Sequence, residues 1–132
     1  MSQAKRIMVD MSVTLLHHGH IRILKAASEL GKVVVALTTD DEIKTHKGFV
    51  PELNYKQREE IIGAVRYVDE VVPSNWLIDE AFLDQHNIDL LLHGEDNSNP
   101  IPRERLVMLP RTTGISSDQI RTTIRNASSD CT

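Results

Sequence analysis

The 132-residue chain has one cysteine, Cys131, next to its last residue, so neither an intrachain disulfide nor a thiolate metal cluster can form. Aromatic residues make up only 4% of it, and no apolar run approaches the ~20 residues that a bilayer span requires. No membrane association is expected. The opening stretch MSQAKRIMVD lacks an apolar segment followed by a small-residue cleavage site, which predicts a cytoplasmic rather than a secreted protein. A basic excess is missing too. Fifteen Lys and Arg against 19 Asp and Glu leave a net charge of −4, which argues against a nucleic-acid partner. Several signatures of known chemistry are also lacking: no GxGxxG follows the first apolar run, GxxxxGK[ST] and HExxH are absent, and no serine or cysteine triad is legible. These gaps make a dinucleotide-binding dehydrogenase and a P-loop NTPase poor readings of the chain.

What is present is an alternation of strand-like and helix-like segments. RIMVDM (6–11), KVVVALTT (32–39), DEVVP (69–73), IDLLLHG (88–94) and RLVMLP (105–110) read as five strands. The near-continuous apolar runs predict strands buried on both faces. Between them lie helical patterns: HIRILKAASELG, with Ile21, Leu24, Ala27 and Leu30 on one face and Gly31 as its stop; a short helix over 40–46; YKQREEIIGAVRYV, capped by Asn54 with Ile61, Ile62 and Val65 inward; and LIDEAFLDQHN. A last helix, SSDQIRTTIRN, opens with Ser116 three residues before Gln119, the spacing of a capping box. Strands alternating with helices imply a single domain of α/β class, a Rossmann-like doubly wound parallel five-stranded sheet, with residues 126–132 as a frayed tail. Ligands of such folds sit at the carboxyl ends of the strands, so the informative residues should follow strands.

After the first strand comes LLHHGHIRIL, residues 15–24. A catalytic zinc ion would need about three protein ligands, and nothing completes the set around His17, His18 and His20. The imidazoles could instead be satisfied structurally at a helix end. A third reading is phosphate chemistry. Positions three apart at a helix start face the same way, so His17 and His20 can reach one phosphate while Gly19 lets the backbone approach it. Lys44, Lys47, Arg58, Arg66, Arg103, Arg105 and Arg111 fall in or beside expected loops and helix ends, a pattern that suits either an anion pocket or a solvated surface.

HxGH after the first strand, with RTTGISSDQIR near the carboxyl end, resembles the cytidylyltransferase family from about residue 6 to residue 125, and RYVDEVV (66–72) is a further family-like stretch. The resemblance implies in-line attack by an acceptor phosphate oxygen on the α-phosphorus of CTP, with Mg²⁺ as cofactor, giving a CDP-linked or CMP-linked product and pyrophosphate. It implies that His17 and His20 bind the triphosphate and stabilise the transition state, and that Lys47 approaches the phosphates, with Lys44 as the alternative. Arg111, Thr112, Gly114, Ile115, Ser116 and Ser117 match the segment that holds nucleotide phosphates, with Arg111 among the catalytic groups. Gly94, Glu95 and Asp96 match a glycine-acid-acid stretch near the nucleotide, where either carboxylate could help hold Mg²⁺ or ribose. Arg58, Arg66 and Trp76 match acceptor-side positions, although Arg66 could simply bridge helices and Trp76 could be core. No protein cluster dedicated to a metal is expected. Family members pair around the mouth of the active site, which implies a homodimer.

The chain departs from the family pattern before LLH, where the family commonly has GTFD and this sequence has Met11, Ser12, Val13 and Thr14. Met11 takes a nucleotide-side glycine position. Thr14 replaces an aspartate beside the acceptor, and Thr113 replaces an acidic residue common within RTEGIS. A Met-Ser opening resembles cytidylyltransferases of phosphonate metabolism, so the expected acceptor is a small phosphorylated or phosphonylated molecule. The neutral Thr14 predicts tolerance of a second anionic group on it. The alternatives are an adenylyltransferase of the same superfamily, since HxGH serves both, and a catalytically silent nucleotide-binding module.

Overall fold

A computed structural model describes residues 5–94, 99–109, 120, 122–124 and 126. The chain runs β1 (Arg6–Met11), α1 (His18–Leu30), β2 (Lys32–Thr38), α2 (Asp40–Lys47), α3 (Tyr55–Gly63), β3 (Glu70–Ser74), α4 (Glu80–Gln85), β4 (Leu90–Gly94), a short 3-10 turn (Arg103–Arg105) and β5 (Leu106–Leu109). Ile120, residues 122–124 and Asn126 are helical, within the last helix expected from the sequence. The Ser116–Gln119 capping box lies outside the described residues. Every strand pairing is parallel, in the order β3-β2-β1-β4-β5. The expected doubly wound α/β sheet is therefore the fold. Connections from β1 run outward to β2 and β3, then return to β4 on the other side, so the strand order reverses between β1 and β4. That is the position at which such sheets open a ligand crevice.

Alternation along the strands sends side chains to two apolar layers. Ile7, Val9, Val33, Val35, Leu37 and Leu92 pack on one face with Leu24 and Ala27 of α1 and Ile62 of α3. Met8, Val34, Ala36, Val72 and Leu91 pack on the other with Ile78, Leu83 and Ile88. The central strands are apolar throughout because both faces are covered.

Local chemistry sets most helix boundaries. Asn54 Oδ1 accepts the Gln57 amide at 2.9 Å and Gln57 Oε1 accepts the Asn54 amide at 3.0 Å, a reciprocal cap that starts α3 where the sequence indicates. Acids Asp40, Asp41 and Glu42 open α2 and Lys44, His46 and Lys47 close it, matching the helix dipole. Gly48, at φ 79°, ends α2 in the left-handed conformation that favours glycine.

Three expectations are corrected. The third helix ends at Gly63 rather than running through Val68, and residues 64–67 form turns. The fourth is confined to Glu80–Gln85, because Asp79 Oδ1 accepts the Phe82 amide at 2.9 Å and so fixes its start. Leu30 and Ile61 are exposed, at 45% and 40%, while Ile23 takes an inward place on α1. Gly31 does cap α1, with its amide on the Ala27 carbonyl, but at φ 168° its backbone is extended. Glycine is required there because a Cβ would collide with the Lys5 carbonyl.

Candidate active site

The sequence places the histidine cluster at the carboxyl end of β1, and there it builds the start of α1. His17 is the N-cap residue: its Nδ1 accepts the Gly19 amide at 3.1 Å, while its own amide donates to His20 Nδ1 at 3.1 Å. The pair thus forms a capping box from two imidazoles, with ring centroids 3.9 Å apart. Because each Nδ1 accepts a backbone proton, the neutral rings carry their own proton on Nε2. Burial, then the neighbouring His17, pushes the His20 pKa down from 6.5 to about 4, so His20 is a neutral Nε2–H donor at physiological pH. The structural and the phosphate readings of this segment are therefore compatible: the cap orients the donors.

The connection from β1 to this helix is strained. Val13, 3% exposed, sits at φ 46°, a left-handed conformation that a β-branched residue adopts at a cost of order 1–3 kcal/mol. Buried Arg58 holds the strand ends around it. Its Nη1 donates to the carbonyls of Ser12 (2.7 Å) and Thr38 (2.9 Å), its Nε to Leu53 (3.1 Å), and its Nη2 to Asp40 Oδ1 (2.7 Å). With a side chain 0% exposed, Arg58 ties the ends of β1 and β2 to the start of α2 from behind.

A cleft of about 350 Å³ opens at this edge. Asp10, Met11 and Ser12 from β1 and its exit line it, with Thr38 from β2 and Lys47 from α2. The segment after β3 contributes Trp76 and Leu77, and the β4 side contributes His93 and Asn99. Trp76 stacks on His46 (4.9 Å, 10° between planes), and Lys47 Nζ lies 5.9 Å from the indole centre. At the floor, Asp10 Oδ2 lies 3.3 Å from His93 Nε2 and accepts from Asn99 Nδ2 at 3.2 Å. Asn99 Oδ1 accepts the Ile78 amide at 2.7 Å, which orients its amide group. His93 Nδ1 lies 3.0 Å from the Gly94 carbonyl oxygen. Asp10 Oδ1 is buried and has no hydrogen-bond partner among the described residues.

Of the residues singled out by sequence, Met11, Lys47 and Trp76 line the cleft, and Gly94 ends β4 beside it. His17, Gly19 and His20 stand at the same edge of the sheet, at the N-terminus of α1. Lys44 is exposed on α2 and is not among the lining residues, whereas Lys47 is. Thr14 is 1% exposed and does not line the cleft. Arg66 is exposed, with Nη2 on the Tyr67 hydroxyl at 2.9 Å, a bond that raises its pKa. Glu95, Asp96, Arg111, Thr112, Thr113, Gly114, Ile115, Ser116 and Ser117 lie outside the described residues. Sequence reasoning missed Asp10, His93 and Asn99. The first two follow from register once β4 is known to lie beside β1: Val9 pairs with Leu92, and one step further along these parallel strands brings Asp10 beside His93.

The described residues do not build a Mg²⁺ site. No group of three His, Cys, Asp or Glu is placed to hold a metal among them. Among the described residues, the one carboxylate lining the cleft is Asp10, which has His93 and Asn99 on Oδ2, groups that compete with a cation.

Comparison with known proteins agrees with the residue pattern. A family model described as cytidylyltransferase-like matches residues 14–123. The Bacillus subtilis (strain 168) protein named glycerol-3-phosphate cytidylyltransferase is 34% identical over 122 residues, spanning 89% of this chain and 95% of that protein. Ethanolamine-phosphate cytidylyltransferase of Dictyostelium discoideum is 39% identical over 95 residues, 70% of this chain and 26% of that protein. Among solved structures, the lipopolysaccharide core biosynthesis protein of Thermoplasma volcanium GSS1 superposes with a TM-score of 0.70 at 19% identity, covering 83% of this chain and 98% of that one. That last likeness is one of fold.

Proposed function

From the premise that the chain belongs to the cytidylyltransferase-like family of nucleotidyltransferases, we propose that it transfers CMP from CTP to a small acceptor bearing a phosphate or phosphonate. An anionic oxygen of the acceptor attacks the α-phosphorus of CTP. The bond from that phosphorus to the bridging oxygen of the β-phosphate breaks, and pyrophosphate leaves. An acceptor dianion is already a nucleophile, so the protein's task is to align the two groups and stabilise charge.

The observation that carries this reading is the pair of imidazoles at the start of α1, each with Nδ1 anchored to a backbone amide. Anchoring leaves Nε2–H as the ring's donor, and the neutrality of His20 keeps it in that form across physiological pH. Two such donors beside a helix N-terminus suit a triphosphate that gains charge at the departing pyrophosphate. Lys47 adds a cation at the cleft wall, and Arg58 fixes the strand ends that bear these groups.

In this proposal Mg²⁺ is the expected cofactor: Glu95 or Asp96 would help to hold it or the ribose, and it would supply charge neutralisation for the nucleotide phosphates. Arg111, Thr112 and the glycine-serine run 114–117 hold the nucleotide as the sequence implies. A cytoplasmic homodimer that pairs through the 66–72 region completes the proposal. Part of that region is already committed inward, since Tyr67, Val68 and Val71 pack against the α1 layer. No helix of the described residues is long and apolar enough to cross a membrane. Pyrophosphate release with CTP, Mg²⁺ and a panel of phosphorylated and phosphonylated acceptors tests the reading, and silence across the whole panel defeats it.

A further inference from the structure

The lysine of the cleft wall stands on a lightly anchored helix. Ile43 is the one buried residue of α2, and every residue of its last turn, 44–47, is exposed. The segment after β3 is held little better, with Trp76 half-buried between exposed Asn75 and Leu77. The two leave the sheet side by side, since Thr38 pairs with Ser74 in the β2–β3 register and the Thr39 amide donates to the Ser74 carbonyl at 3.2 Å. Beyond that point they meet again through His46, whose ring lies nearly parallel to the indole with centroids 4.9 Å apart. Glu42 Oε2, one turn back on α2, lies 3.4 Å from His46 Nε2 and steadies the imidazole. Lys47, next in the chain, has its Nζ 5.9 Å from the centre of the same indole.

From this geometry we propose that His46 is a positioning residue: by stacking on Trp76 it fastens the last turn of α2 to the β3 exit, and so keeps Lys47 and the indole assembled as one cleft wall before the acceptor arrives. The described lining of the cleft includes Lys47 and Trp76 but not His46, which therefore acts through its neighbours. The inference rests on the transferase reading above, in which Lys47 meets phosphate. A wall that is assembled only part of the time lowers the apparent affinity by the assembled fraction, while the complex, once formed, reacts as before. An offset aromatic stack is strong enough to change that fraction roughly three- to tenfold. The effect of losing it falls on KM for the acceptor rather than on kcat.

Trp76 is the chain's only tryptophan, so its emission reads the stack without any turnover. Acrylamide quenching is measured on the wild type, His46→Ala and His46→Phe, and steady-state kinetics on the same preparations with CTP, Mg²⁺ and either glycerol 3-phosphate or 2-aminoethyl phosphate. In His46→Ala the indole should be quenched more strongly, and KM for the acceptor should rise roughly three- to tenfold with kcat held within about twofold. His46→Phe keeps a ring against the indole and should bring both readings back near the wild-type values. Quenching that is the same in the wild type and His46→Ala overturns the proposal, and so does an unchanged KM. A loss of kcat at constant KM also overturns it, being the mark of less folded enzyme. A Phe variant as impaired as the Ala variant would mean that the imidazole itself touches substrate, again against a positioning role. With a wild type that turns over CTP, any of these results sinks this inference and leaves the transferase reading standing, whereas no CTP turnover with any acceptor removes both.

Discussion

The backbone amide of His17 donates to Nδ1 of His20 at 3.1 Å, so one imidazole caps the helix from which both histidines project. In the proposed function cap and phosphate clamp are the same device, and substitutions that preserve the cap can separate the two roles. Glutamine is a regular occupant of the third helical position in a capping box, and asparagine is a strong N-cap. His20→Gln and His17→Asn should therefore change stability by less than about 1 kcal/mol, since each retains an acceptor for the backbone amide. Turnover should still fall on the order of 10²- to 10³-fold, as for loss of one preorganised donor. Thermal unfolding and steady-state kinetics on the same preparations decide the matter; near-normal turnover in either variant would leave that histidine a purely structural cap.

The depressed His20 pKa has a signature in stability. The unfolded chain binds a proton on this ring near pH 6.5, whereas the folded chain does so only at about 4. Between those values the unfolded state holds more protons, so stability falls as pH drops from 6.5 toward 4, by at most about 3 kcal/mol from this group. The difference between wild type and His20→Gln in urea unfolding should shrink or turn in favour of the variant as pH falls through that window. A pH-independent difference between them would show that His20 titrates normally in the folded protein.

Arg58 predicts a large effect away from the reacting groups. Removing its side chain in Arg58→Met leaves Asp40 Oδ1 and the carbonyls of Ser12, Thr38 and Leu53 without their donor. Such a loss typically destabilises by about 3–5 kcal/mol. Arg58→Lys should recover only part of it, because one ammonium cannot reproduce a planar fork spread over four acceptors. Chemical denaturation midpoints measure both, and a Lys variant as stable as wild type would contradict the geometry.

Gly31→Ala tests the packing of the α1–β2 connection. The added methyl group meets the Lys5 carbonyl, which also accepts the Lys32 amide at 2.8 Å where β2 begins. A loss of about 1–3 kcal/mol is expected from this overpacking. A thermal midpoint equal to that of the wild type would show that the connection adjusts freely.

The five strands were legible because double-sided burial writes itself as an apolar run, and KVVVALT leaves little else to read. Helix ends were less so. Ile61, Ile62 and Val65 suggest continuous inward facing, yet the helix stops at Gly63 and the chain turns to deliver Val65, Tyr67 and Val68 to the same apolar layer from non-helical backbone. Periodicity reports the destination of side chains, and turns can serve it as well as helices. HxGH was legible as a local motif because a helix start brings positions three apart together. The Asp10–His93–Asn99 cluster was not, because it depends on β4 lying beside β1 and on a loop returning to the floor between them. Arg58 shows a related limit: its charge is written in the sequence, and its four internal acceptors are not.

The central claim is that this site moves a cytidylyl group. Its most direct measurement is pyrophosphate release by the wild-type chain with Mg²⁺ and each of the four ribonucleoside triphosphates over the acceptor panel, with the nucleotide-linked product identified by mass. Turnover with CTP is expected to be at least tenfold more efficient than with ATP, with a product in which CMP is joined to the acceptor's phosphate or phosphonate. A preference for ATP, or a CTP reaction that yields no acceptor-linked CMP, would contradict it.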